Sequence, residues 1–67
     1  MVLVDIQMYK ADNFQVKIEK EKIEDFKKIV KLKRENKEFL CTKEAVYGNE
    51  CMINLDYVAC IRIYENQ

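Results

Sequence analysis

The sequence predicts an α+β domain of order ββαβββ, with a mainly antiparallel sheet either packed on one amphipathic helix or curled into a small barrel. Three patterns carry this. Apolar residues alternate with polar ones near both chain ends, the apolar period changes to three and four in the middle, and turn residues interrupt the apolar runs.

From Val2 to Tyr9, Val2, Val4, Ile6 and Met8 share one parity, and Leu3, Asp5, Gln7 and Tyr9 the other, the signature of a half-buried strand. Asp12 and Asn13 supply turn chemistry, after which Phe14, Val16 and Ile18 alternate with Gln15, Lys17 and Glu19. These two strands are expected to form a hairpin.

From about Lys20 the pattern is helical, with Ile23, Phe26, Ile29 and Val30 on one face. Glu21, Glu24 and Asp25 near its start and Lys31, Lys33 and Arg34 near its end suit the helix macrodipole, and Glu24 and Lys28 are spaced for an ion pair. Asn36 is a plausible stop.

Glu38 to Thr42 reads as a third strand that could continue toward Tyr47, Gly48 and Asn49 as a tight turn, and Cys51 to Ile53 as a short fourth strand. After a turn at Asn54 to Asp56, Tyr57 to Glu65 reads as a long fifth strand. Strict alternation places Tyr57, Ala59, Ile61 and Ile63 on one face, and Val58, Cys60, Arg62 and Tyr64 on the other.

Residues 1–67 are expected to form a single domain. A chain of this size buries only roughly 60% of its unfolded surface, so self-association would add needed burial. The charge is balanced, with 12 basic and 12 acidic residues, so any attraction to anions has to be local. No apolar run is long enough to span a membrane, and Asp5 interrupts the only apolar stretch near the start. Cys41, Cys51 and Cys60 form no CxxC pair and have no histidine to join them. They are expected to act as small buried or half-buried hydrophobes in a reducing, cytoplasmic setting, without metal or cofactor.

Histidine and serine are absent, Thr42 is the only hydroxyl residue besides the tyrosines, and a single glycine cannot build a phosphate loop. The chain is therefore expected not to be an enzyme. Two groups of residues suggest binding instead. Lys27, Lys28, Lys31, Lys33, Arg34 and Lys37 stand against one acid, Glu35, and could hold an anionic small ligand, an acidic protein or nucleic acid; the same run also suits a solvated helix end. No RNA-recognition aromatic motif, zinc finger or helix-turn-helix accompanies it. Of Tyr9, Tyr47, Tyr57 and Tyr64, the last shares a strand face with Val58 and Cys60. Those three are the candidate interface of a homo-oligomer, by default a two-fold dimer.

The ending Ile53-Asn54-Leu55-Asp56-Tyr57-Val58-Ala59-Cys60-Ile61, preceded by a hairpin, a Lys-rich helix and a Lys37-Glu38-Phe39 strand start, resembles small uncharacterised proteins encoded by phages and prophages of low-GC bacteria. The resemblance implies a protein of the host cytoplasm that inhibits a host factor or sequesters a ligand. It assigns a role to no individual residue.

Overall fold

The computed structural model describes residues 1–65. In chain order it contains β1 (Val2–Met8), β2 (Phe14–Ile18), a 3₁₀ turn (Lys20–Lys22), α1 (Ile23–Glu35), β3 (Phe39–Lys43), β4 (Glu50–Asn54), a second 3₁₀ turn (Leu55–Tyr57) and β5 (Val58–Tyr64). The ββαβββ order of the sequence is present. All strand pairs are antiparallel, but the strands form two open sheets rather than one sheet or a barrel: β2-β1-β5 and β3-β4. No helix among the described residues is long and apolar enough to cross a membrane.

Alternation in β1 sets the layers. Val2, Val4 and Ile6 point inward and are almost fully buried, together with Val16 of β2. The core is completed by Ile23 and Phe26 of α1, by Leu40 and Ile53, which face each other across the β3–β4 hairpin, and by Leu55 and Val58. A fully buried aliphatic side chain contributes about 1.5–3 kcal/mol, so a few such residues carry much of the stability of a chain this small. Helix and hairpin thus cover the same face of the three-stranded sheet.

Local chemistry explains the ends of α1. Glu24 and Asp25 lie in its first turn, and Lys33 and Arg34 in its last. The helix closes in a Schellman arrangement: the Glu38 N–H donates to the Lys33 carbonyl at 2.8 Å and the Lys37 N–H to the Arg34 carbonyl at 3.2 Å. Lys37 takes the left-handed position of that motif, with φ +56°. The spacing of Glu24 and Lys28 is not used. Glu24 instead pairs with Lys27 at 3.2 Å, one residue closer along the helix surface.

The β3–β4 connection is a six-residue loop, 44–49, rather than an extension of β3. Glu44 organises it. Its carboxylate accepts hydrogen bonds from the backbone N–H groups of Val46 (3.0 Å), Tyr47 and Asn49 (3.3 Å), while Gly48 makes the left-handed turn at φ +73°. The Ala45 N–H donates to the Gln15 carbonyl at 2.7 Å, tying this loop to the outer edge of β2.

The faces of β5 differ from strict alternation. Cys60 stands opposite Gln7, but Val58 stands opposite Met8, so Ala59 is an extra residue and the ladder shifts there. The shift turns Val58 into the core at 8% exposure and leaves Tyr57 and Ala59 exposed. Ile61 and Ile63 pack against the core as the sequence indicates. Val58 therefore does not share a face with Cys60 and Tyr64.

Candidate functional site

The six cations of the segment from Lys27 to Lys37 do not act as one patch. On a helix, Ile23, Phe26 and Val30 form the stripe that meets the sheet, and Lys27, Lys31 and Arg34, at spacings of four and three, form the neighbouring flank. That flank overhangs β5. Between them lies a groove of about 390 Å³ whose floor is Phe26, Val30, Ile61 and Ile63, and whose rim is Lys27, Lys31 and Arg34. The opposite flank faces β2 around Ile18 and carries Asp25 and Ile29 beside Lys22, which pairs with Glu19 at 3.7 Å, so the run of three cations without an acid on the groove belongs to the β5 side.

The remaining three cations lie elsewhere. Lys28 is exposed, and helical periodicity turns it away from the sheet. Lys33 is half-buried and paired with Glu38 at 3.2 Å. Lys37 occupies the helix stop. On the groove itself, among the described residues Lys27 makes one ion pair, exposed and with Glu24, a contact worth little against a well-placed ligand. Lys31 and Arg34 have no ion-pair partner among the described residues.

The groove opens onto the free side of β5. Among the described residues this strand pairs only with β1, so one row of its backbone N–H and C=O groups faces outward beside the cations. Sequence reasoning identifies the cations and assigns Phe26, Val30, Ile61 and Ile63 to buried faces. It does not bring the two sets together, because that requires knowing that β5 is an edge strand and lies under this flank of α1.

The outer face of the three-stranded sheet is a second distinctive surface. Asp5, on the central strand, stands opposite Gln15 on one side and Arg62 on the other. It is only 6% exposed, and its Oδ1 has no hydrogen-bond partner among the described residues. Hydrogen bonding to Tyr64, with Coulombic help from Cys60, pushes the Arg62 pKa above its ordinary value; no Asp5–Arg62 ion pair forms among the described residues. Leu3, Gln7 and Cys60 are half-buried on this face, with the Cys60 Sγ 3.8 Å from Gln7 Oε1, and Tyr64 lies at its end.

The cysteines are dispersed. Cys51, opposite Thr42 on the inner face of the β3–β4 hairpin, and Cys60, in the other sheet, are half-buried as expected, but Cys41 is exposed, because it stands opposite Met52 on the hairpin's outward face. Among the described residues no three metal-ligating side chains converge. A hollow of about 500 Å³ runs along the hairpin past both Cys41 and Cys51, but its charged groups, Lys43 and Glu50, are cross-strand neighbours that face each other.

No protein-family model matches the chain, and no curated protein and no solved structure matches it either.

Proposed function

We propose that the protein is a small binding module that takes an anionic partner in the groove between α1 and β5, and that it acts by occluding or sequestering that partner. One observation carries the reading: three cations from one helical flank converge over an apolar floor. A purely solvated helix end would not need Val30, Ile61 and Ile63 half-exposed beside its charges, with Phe26 beneath them. The combination selects ligands with an anionic part and an apolar part. Every ionisable side chain on the groove is Lys or Arg, which supports binding rather than acid–base catalysis.

The fluorescent probe 8-anilinonaphthalene-1-sulfonate, a sulfonate on an aromatic frame, tests this directly. It should bind at one saturable site and brighten. Lys27→Glu/Lys31→Glu/Arg34→Glu should abolish the signal, and Lys28→Glu/Lys37→Glu, with its charges off the groove, should retain it. Equal binding by both variants would place the site elsewhere.

Self-association is a second reading, favoured by Asp5. A nearly buried carboxylate with an unpartnered oxygen costs about 1–3 kcal/mol or more, and a second copy packed on the outer sheet face could satisfy it from Lys17 or Arg62. Cys60 and Tyr64 remain candidates for that interface, and Val58 does not.

A further inference from the structure

The groove reading leaves open what kind of anion fills the site, and the free edge of β5 narrows it. Resting on that reading, we infer that the occupant is an extended, acidic segment of a partner protein, which adds to β5 as a fourth strand of the β2-β1-β5 sheet.

The two edges of this sheet differ. β2 has five residues, and the loop after β3 covers part of it through the Ala45 to Gln15 bond. β5 has seven residues, with Arg62 as its only charge and no proline. Its irregularity is confined to Ala59, so Cys60–Tyr64 continue in regular register. Edge strands are ordinarily blunted by inward charges, proline, bulges or cover. Among the described residues, Cys60–Tyr64 have no proline, bulge or cover on their free side, and their one charge, Arg62, lies on the outer sheet face, so a peptide can extend the sheet here.

Charge selects the sequence of the added strand. Along the helix axis, Lys27 and Lys31 are separated by about 6 Å and Lys31 and Arg34 by about 4.5 Å, at a rise of ~1.5 Å per residue. Alternate side chains on a strand are about 6.8 Å apart and point to the same face. Acidic residues at every second position would therefore run beneath the rim. Glutamate suits both layers, since its methylenes can lie on Phe26, Val30, Ile61 and Ile63 while its carboxylate reaches the cations. A second copy's β5 fits less well, because it would bring two sets of Lys27, Lys31 and Arg34 together.

The test uses a blocked peptide of about ten residues alternating glutamate and valine, with two versions N-methylated at alternate positions, one in each register. Backbone hydrogen–deuterium exchange of the protein is followed by NMR. The unmodified peptide should slow exchange at alternate amides of β5, those pointing away from β1. One N-methylated register should bind at least about tenfold more weakly and the other nearly normally, because only one edge of an added strand faces β5. Lys31→Glu/Arg34→Glu should weaken the unmodified peptide by a similar factor.

If both N-methylated peptides bind like the parent, or β5 gains no protection at millimolar peptide, strand addition is wrong. The groove reading then survives if the sulfonate probe still binds and falls with it if the probe does not. Protection of β5 that rises with protein concentration alone would assign the edge to a second copy. Tighter groove binding by a single-stranded oligonucleotide than by the peptide would assign it to nucleic acid. Either result overturns the inference.

Discussion

Val58 faces Met8 across the β1–β5 ladder, one residue out of step with the pairing of Gln7 and Cys60. This offset puts Val58 among the core side chains at 8% exposure and leaves Cys60 and Tyr64 on the outside of the sheet. Val58→Lys should therefore act as a core lesion. Burying an uncompensated charge costs about 3–5 kcal/mol, a large share of the roughly 3–10 kcal/mol available to a chain of this length. Urea denaturation should show a collapsed midpoint, whereas Tyr64→Glu, on the outer face, should move the midpoint little.

The same geometry separates folding from self-association. Cys60→Lys/Tyr64→Glu changes only outer-face positions, so it should keep the fold and reduce particle size in light scattering if two copies meet there. Asp5→Val should raise monomer stability by about 1–3 kcal/mol, because it removes an unpaired carboxylate from a nearly dry position. In a dimer that pairs Asp5 across the interface, Asp5→Val should instead weaken association. A wild-type protein that is monomeric at high micromolar concentration would remove the self-association reading.

Much of this architecture is legible in the residues because most elements have one buried face. Val2, Val4, Ile6 and Met8 alternate cleanly with Leu3, Asp5 and Gln7, and the pattern gives the strand and its core side; that the other side of this central strand is also largely covered, with Asp5 buried, is not legible in it. The stretch Tyr57-Val58-Ala59-Cys60 is apolar on both parities, so nothing in it reveals an extra residue at Ala59. The division into two sheets is equally hidden, since it depends on β1 pairing with β5 from the far end of the chain. For the same reason the cluster of cations is legible but its useful subset is not. Lys27, Lys31 and Arg34 are distinguished from Lys28, Lys33 and Lys37 by the strand beneath them.

Lys37 illustrates a residue whose charge suggests one role and whose backbone has another. It sits at φ +56° in the position of the helix stop where glycine is usual. A side chain costs roughly 1–2 kcal/mol in that conformation, part of which glycine returns through its greater freedom when unfolded. Lys37→Gly should stabilise the protein by about 0.5–1 kcal/mol and raise the melting temperature by several degrees. Because Lys37 lies off the groove, binding of the sulfonate probe should be unchanged. Loss of probe binding without loss of stability would bring Lys37 back into the anion site.

Glu44 provides the pH-dependent element of the fold. Desolvation pushes its carboxyl pKa up, but the backbone N–H groups of Asn49, Val46, Tyr47 and Gly48 together outweigh that and hold it below its ordinary value of 4.5. A carboxyl whose pKa is lower in the folded than in the unfolded chain stabilises the fold when ionised. Its contribution is complete above the ordinary value, shrinks as the pH drops below it, and is gone once the pH passes beneath the lowered value. Acidification should therefore release the 44–49 loop, and with it the Ala45 bond that covers the edge of β2. The amide signals of Val46, Tyr47 and Asn49 should shift together in an NMR titration, with a midpoint below the ordinary carboxyl value of 4.5. In Glu44→Gln the coordinated titration should vanish and amide exchange in the loop should be faster even at neutral pH. A midpoint at or above 4.5 would show that these backbone donors do not hold the carboxylate.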